Sequence, residues 1–194
     1  MSTQTAIVVV PCHFKSRDEL CATTIKRLDR ALLNWGITSR TFGEMPLILT
    51  GPVPYERGNK TLGDLMEEYL LEKGVPQSSI IVPEEGVGIF SEAQTVVADI
   101  QKRLPRCRIF SIISSDWYFI PGWKIWSHFA SQSGLGIRTI EVLDTGGAKT
   151  RLTYLVYGIF VWLSFALHLN KQMGRFMTWR CSGRKNGFKF NGCA

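Results

Sequence analysis

The sequence AIVVV at residues 6–10, followed by Pro11, is the clearest indication of the fold class. An unbroken run of β-branched and apolar residues predicts a strand that is buried on both faces. A second run, IFSII at residues 109–113, has the same character. Strands of this kind occur in parallel sheets that carry helices on both sides. The two runs therefore favour an α/β fold.

Strands and helices alternate on either side of these runs. The five predicted strands are Ala6–Val10, Pro46–Thr50, Ser79–Val82, Arg108–Ser114 and Gly136–Val142. Between them, apolar residues recur three and four positions apart, which is typical of amphipathic helices. The predicted helices are Asp18–Trp35, Thr61–Lys73, Ser91–Leu104 with Ser91 as N-cap, and Pro121–Ser131. We therefore expect an α/β fold of the three-layer, doubly wound type, with a mostly parallel five-stranded sheet.

Charge and hydropathy divide the 194 residues into three parts. Residues 1–150 form the predicted α/β domain, residues 151–170 an apolar C-terminal helix, and residues 171–194 a basic tail that we expect to be flexible. The net charge is +7, but residues 1–170 contain 17 Lys and Arg against 16 Asp and Glu, which leaves +1. The last 24 residues contain 6 basic residues and no acid. A nearly neutral domain favours a small-ligand pocket over a face that binds nucleic acid.

The N-terminus and the cysteines predict a cytoplasmic protein with reduced thiols. The first residues contain neither a basic region nor a long apolar run, so a cleaved signal peptide is not expected. Five cysteines are an odd number, and no two have C-x-x-C spacing, so we expect neither a disulfide framework nor a metal site. Cys12 and His13 are adjacent, and side chains of adjacent residues in an extended chain point apart. They are therefore not expected to act as a nucleophile and its base.

A ligand site is expected where the strands end. In open parallel sheets, ligands bind outside the carboxyl ends of the strands, close to the switch in strand order. Free N–H groups at helix N-termini there favour polar or anionic ligands. The candidate ligand-binding residues are Pro11, His13, Thr50, Gly51, Glu84, Gly88, Glu92, Ser114, Ser115 and Asp116. The alternative is that these residues form ordinary βα turns, which are rich in the same residue types.

Common catalytic motifs are not found in the sequence. No G-x-G-x-x-G follows the first strand, and neither a G-x-x-x-x-G-K-[ST] loop nor a G-x-S-x-G elbow occurs. A dinucleotide fingerprint, a P-loop and a hydrolase nucleophile are thereby excluded on pattern. No catalytic residue and no cofactor is assigned from the sequence.

Four segments resemble the YdcF/SanA/ElyC-like family, a bacterial group with a Rossmann-like domain of unknown function. They are IKRLDRA at 25–31, PLILTG at 46–51, LMEEYLLEKGVP at 65–76 and ISSDWYFIPG at 113–122. The third is similar to a frequent family signature, x-M-x-x-Y-L-x-x-x-G-V-P, and the fourth to V-T-S-x-x-Y-H-x-P-R. The likeness covers about residues 6–145, with the segments in the family's order and spacing. It implies binding of nucleotide-like or adenosyl ligands and a link to cell-envelope maintenance.

The sequence departs from this family at polar positions. Pro11-Cys12 stand where the family usually has a glycine pair, Leu62 where it has Glu, and Gly88-Ile89 where it has Asn-Thr. Phe119 and Gly122 replace a His and an Arg, which supply acid–base capacity and an anion clamp. Thr50, Gly51, Glu84, Glu92 and Ser115 remain. The resemblance therefore implies ligand binding with impaired family-type catalysis.

Residues 152–169 contain no formal charge and approach the minimum length of a bilayer span. A span would place the α/β domain outside the cell, because basic residues dominate after the segment. Without a signal peptide, we expect instead a helix that packs on the sheet or lies on a membrane surface. The alternative function is therefore a non-enzymatic, membrane-peripheral envelope factor that uses residues 151–194. Nucleic acid is not an expected partner.

Overall fold

The computed structural model describes residues 4–42, 45–54, 56, 59–143 and 148–182. The strands are β1 (Gln4–Val9), β2 (Phe14–Ser16), β3 (Glu19–Leu20), β4 (Leu47–Leu49), β5 (Ile80–Ile81), β6 (Cys107–Ser115) and β7 (Gly136–Val142). The helices are α1 (Ala22–Phe42), α2 (Leu62–Glu72), α3 (Ile89–Arg103), α4 (Phe119–Gln132), α5 (Ala148–Ala166) and α6 (Asn170–Ser182). Short 3₁₀ turns cover Gln77–Ser79 and Asp116–Tyr118.

Five strands form one parallel sheet in the order β5-β4-β1-β6-β7. The chain leaves β1 toward β4 and β5, and then crosses through α3 to β6 on the other side of β1. The strand order therefore switches between β1 and β6, and a crevice between their carboxyl ends is the expected ligand position. The predicted α/β fold with a parallel five-stranded sheet between helices is confirmed.

The helices lie on both faces of this sheet because side chains alternate along each strand. In β1, Ala6 and Val8 pack with residues of α3 and α4, whereas Ile7 and Val9 pack with residues of α1 and α2. All four side chains are buried. The continuous apolar run of β1 thus supplies both halves of the core.

Three helix boundaries differ clearly from the sequence prediction: both ends of α1 and the start of α3. Helix α1 begins at Ala22 because the hairpin β2–β3 occupies the residues before it, including Asp18 at its turn. The helix then continues past Trp35, its predicted end, through Gly36 to Phe42. Ser91 is not the N-cap of α3: that position is held by Gly88, at a positive φ of 85°.

Beyond the sheet, the C-terminal helices pack on other helices. Helix α5 packs against α4, and α6 contacts α3 and α5. The segment expected to be a flexible tail thus begins with a helix, and its remainder, 183–194, lies outside the described residues. None of the helices in the described ranges is long and apolar enough to cross a membrane.

Candidate functional site

A buried arginine lies at the switch point between β1 and β6. Arg27, in α1, is only 1% exposed. Its Nη1 donates a hydrogen bond to the Val10 carbonyl at 2.7 Å, and its Nη2 donates to the Ser115 hydroxyl at 2.7 Å. The Trp117 ring covers the guanidinium, with its centroid 5.7 Å from Cζ. Arg27 thereby joins the carboxyl ends of the two central strands.

The charge of Arg27 is not neutralised by a protein acid: no carboxylate of the described residues forms an ion pair with it. Its Nε is buried and has no hydrogen-bond partner among the described atoms, and the same holds for the Ser114 hydroxyl and the Trp117 indole N–H. Buried polar groups are ordinarily paired, because an unpaired donor costs about 1–3 kcal/mol. These three groups, on Arg27, Ser114 and Trp117, mark this strand end as the candidate site.

The neighbouring strand end is closed by Gly51 and Pro11. Gly51 has a φ of +97°, and a Cβ at this position would lie 2.8 Å from Pro11 Cγ. Only glycine fits this contact without strain. The adjacent Thr50 is buried and donates its N–H to the Val9 carbonyl at 3.1 Å. Pro11, Thr50 and Gly51 thus form one wall beside the Arg27 site.

Tyr118 follows Trp117 in the turn after β6, and the charge of Glu92 at the start of α3 acts on it. The Tyr118 hydroxyl is buried and accepts a hydrogen bond from Trp126 Nε1 at 3.2 Å. Burial, and secondly the charge of Glu92, raise the pKa of Tyr118 well above its ordinary value. The phenol therefore stays protonated and acts as a polar, uncharged group.

Asp116 connects the site to the C-terminal helices. Its Oδ2 accepts a hydrogen bond from Arg151 Nη2 of α5 at 3.2 Å, an ion pair that is partly exposed. Next to it, the Trp117 ring packs on Tyr154 of α5, with centroids 4.4 Å apart. The position of α5 is therefore coupled to the turn that covers Arg27.

The expectation that the side chains of Cys12 and His13 point apart is wrong. Cys12 Sγ lies 2.9 Å from His13 Nδ1, because β1 ends at Val9 and the alternation of an extended strand no longer applies at residues 12 and 13. Cys21 is the third member of this cluster, and the ligand atoms of the three residues all lie within 4.8 Å of one another. A hydrogen bond with Cys12 is the main cause that lowers the pKa of Cys21 to about 4, against the opposing effect of burial.

The structure brings most, but not all, of the predicted residues together. Six of them lie at the carboxyl ends of the three adjacent strands β4, β1 and β6: Pro11, Thr50, Gly51, Ser114, Ser115 and Asp116. Gly88 and Glu92 lie at the start of α3, and His13 belongs to the cysteine cluster. Glu84 is an exposed residue of the loop before α3. The residues of the predicted site therefore divide between a central group and separate positions.

Sequence reasoning missed Arg27 and Cys21. Arg27 could have been found from the sequence, because it falls on the buried face of α1. Thr24, Leu28 and Ala31 lie on the same face, where burying an unpaired charge is costly. Cys21 carried no such signal, because only the β2–β3 hairpin brings it back to His13.

A wide cavity of about 690 Å³ lies elsewhere, between α3, α4 and α6. Aromatic and basic side chains line it, among them Phe90, Phe129, Lys171, Arg175 and Trp179. None of the residues that contact Arg27 belongs to this lining. Volume alone thus does not identify the Arg27 region, which stands out by its buried polar groups.

Comparisons with known proteins add no relative. A scan against protein-family models finds no match, and searches of curated proteins and of solved structures find none either. Two features of the structure therefore bear on function: the geometry around Arg27 and the surface of the C-terminal helices.

Proposed function

We propose that the protein binds a small anionic molecule of the nucleotide-like class at the carboxyl ends of β1 and β6. The observation that carries this proposal is the buried, unneutralised guanidinium of Arg27. Removing a cation from water costs several kcal/mol unless it is compensated by a partner. A phosphate or carboxylate group at this edge of the sheet supplies the missing opposite charge.

The position of the charge supports the same proposal. Open parallel sheets bind ligands at their switch point, and Arg27 bridges the two strands that define it here. The Ser114 hydroxyl and the Trp117 indole N–H add two donors to the same region. An anion with several oxygen acceptors matches this set of donors.

Binding without family-type turnover is the second part of the proposal. Phe119 and Gly122 stand where the resemblance expects a His and an Arg, and both are buried. A Cβ at Gly122 would lie 2.9 Å from Tyr118 Cε1, so this packing leaves no room for a long side chain. Aromatic packing thus occupies the place where an acid–base pair would be needed.

Ligand binding to the full chain tests this proposal. Calorimetric titration with inorganic phosphate, AMP, ATP, S-adenosylmethionine and sugar phosphates should give heat with at least one phosphate-bearing compound. Arg27→Met should weaken that binding at least about tenfold, since a charge-assisted bond contributes about 1.5–3 kcal/mol. Arg27→Met removes the hydrogen bond to the Val10 carbonyl, at a cost of about 1–3 kcal/mol, so circular dichroism checks that the variant is folded before the titration.

Arg106→Met is the matched control. Arg106 is exposed and precedes β6 at the opposite end of the sheet, so its loss should leave binding unchanged. The proposal is overturned if no compound binds, or if Arg27→Met and Arg106→Met bind equally well.

A second candidate function is attachment to an anionic membrane surface through α5, in line with a role at the cell envelope. Tyr157, Gly158 and Val161 face α4, and the other face of α5 is apolar but exposed. The exposed side chains are Leu152, Leu155, Val156, Ile159, Phe160, Trp162 and Leu163, each 45–62% exposed. We call this set the α5 face. Such a contiguous apolar surface marks an interaction site.

Charge favours lipid as the occupant of the α5 face. Arg151, Lys171 and Arg175 lie on α5 and α6, and six of the chain's basic residues, with no acid, fall in residues 171–194. An apolar helix face combined with basic residues binds anionic lipid surfaces, and each cation near the surface contributes about 1 kcal/mol.

Vesicle sedimentation tests this candidate. The full chain should pellet with vesicles of phosphatidylglycerol and phosphatidylcholine, and less with phosphatidylcholine alone. The double variant Ile159→Glu/Leu163→Glu should stay in the supernatant, whereas Leu33→Glu, on an equally exposed leucine of α1, should bind normally. Equal binding by both variants, or self-association that hides the α5 face, would refute the assignment.

A further inference from the structure

A short hairpin brings two cysteines and a histidine together at the end of β1. The chain turns back at β2 and β3, where Phe14 pairs with Leu20. The Cys21 N–H then donates to the His13 carbonyl at 3.4 Å. Cys21 thereby becomes a neighbour of His13 and Cys12, which lie eight and nine positions before it, a spacing unlike C-x-x-C.

The spacing of the three side chains suits one metal ion. Their ligand atoms lie within 4.8 Å of one another, with Cys12 Sγ and His13 Nδ1 at 2.9 Å. Tetrahedral Zn²⁺ has Zn–S distances of about 2.3 Å and Zn–N distances of about 2.0–2.1 Å, which places neighbouring ligand atoms about 3.5–3.8 Å apart. Small side-chain adjustments therefore convert the cluster into a coordination shell.

Thr24 supports the cluster from α1. Its Oγ1 accepts a hydrogen bond from the Cys12 N–H at 3.0 Å and lies 3.3 Å from Cys21 Sγ. Thr24 is fully buried, so both cysteines are held from one fixed point. Neighbours of this kind orient metal ligands.

We propose that Cys12, His13 and Cys21 bind one thiophilic divalent cation, of which Zn²⁺ is the best fit. Two sulfurs and one imidazole select Zn²⁺ over Mg²⁺ or Ca²⁺, which need oxygen ligands. Three protein ligands leave the fourth tetrahedral position to water or a small molecule, as in zinc sites that do chemistry. This proposal reverses the expectation from the sequence and does not depend on a ligand at Arg27.

Cobalt is the spectroscopic probe for this site. Reduced, metal-free full-length protein is titrated with Co²⁺ and then with Zn²⁺. The expected result is a 1:1 complex with thiolate-to-cobalt charge-transfer bands and the intense visible bands of tetrahedral coordination, lost when Zn²⁺ displaces Co²⁺. Weak visible bands of octahedral cobalt, or no saturation, would overturn the proposal.

Variants separate this site from the other thiols. Cys21→Ser should abolish the charge-transfer bands, and Thr24→Val should weaken Co²⁺ binding about 10–100-fold because it removes the support of both cysteines. Cys107→Ser, at another buried cysteine, should bind as the parent does. Circular dichroism checks that each variant is folded. His13→Ala should also lose Co²⁺ binding, and because His13 is only half-buried this variant does not disturb the core.

Cys181 and Cys193, near the C-terminus, are the other thiols that could bind Co²⁺. The double variant Cys181→Ser/Cys193→Ser should keep the full spectrum. If it loses the spectrum while Cys21→Ser keeps it, the metal binds elsewhere and the proposal fails. Rapid air oxidation of Cys12 and Cys21 to a disulfide, without Co²⁺ binding by the reduced protein, would overturn it in favour of a redox pair.

Discussion

The central sheet and the C-terminal helices are both rich in apolar residues, but they differ in what covers them. Leu47 and Leu49 of β4 are fully buried between helices, whereas Leu152 and Leu155 of α5 are 62% and 48% exposed. The sheet uses its apolar residues for the core. On α5 only one face packs into the core, and the other, the α5 face, is exposed and can contact a partner or a membrane.

The largest expected effect is the difference in the free energy of unfolding lost when a leucine is truncated in each of the two regions. Leu47→Ala should lower the free energy of unfolding by about 2–5 kcal/mol, because it opens a cavity in a close-packed core. Leu155→Ala should change it by less than about 0.5 kcal/mol. Urea unfolding of both variants checks the contrast. Similar losses would show that the α5 face is covered in solution.

The packing of α5 on α4, through which the C-terminal helices are attached, depends on Gly158. A Cβ there would approach Ile120 Cγ2 to 2.5 Å, so Gly158→Ala should destabilise the protein by about 1–3 kcal/mol through overpacking. Gly36→Ala is the control, since nothing lies within 4 Å of its Cβ position in α1, and it should stabilise by about 0.5–1 kcal/mol. Thermal unfolding measures both. Equal effects would mean that α5 is not held this closely on α4.

Acid should loosen the C-terminal helices before the sheet. Burial, and secondly the charge of Lys124, lower the pKa of His128, whose ring packs on Phe165 of α5 and lies near Asn170 of α6. The folded state therefore favours the neutral ring. Stability from this contact is present above the unfolded pKa of about 6.5 and is lost as pH falls below it.

Hydrogen exchange at several pH values can detect this loosening. The protection factors of the α5 and α6 amides should fall below about pH 6, while those of the β1 and β6 amides stay unchanged. His128→Phe should remove the pH dependence, since the ring contact with Phe165 remains without a titrating group. A pH response that persists in this variant would point to another group.

The smallest effect concerns the contact between α1 and α2. Burial, together with the hydrogen bond that Tyr69 donates to Asp29 Oδ1 at 2.7 Å, raises the pKa of Tyr69 to about 12. Ionisation is thus harder in the folded state, so the free energy of unfolding should fall slightly between about pH 10 and 12. Tyr69→Phe should give a flatter profile in alkaline denaturation. An unchanged slope would contradict the prediction.

Much of the fold could be read from residue patterns, and the boundaries failed for local reasons. The strand Gly136–Val142 has the predicted bounds, because no turn or helix pattern overlaps these residues. Helix α1 was predicted four residues too early, because the polar residues of the β2–β3 turn look like the start of a helix. Four residues of the candidate site could be predicted because they stand where predicted strands end: Thr50, Gly51, Ser114 and Ser115.

Two features could be read from the sequence alone: the alternation of strands and helices, and the excess positive charge at the C-terminus. Both depend on hydrophobic period and composition, which are local properties of the chain. The strand order, and the meeting of Arg27 with Ser115 across 88 positions, were decided only by tertiary packing. The same holds for the hairpin that joins Cys21 to Cys12 and His13, and for the face of α5 that remains exposed. These features depend on which surfaces meet after the chain folds, and no local pattern encodes such distant contacts.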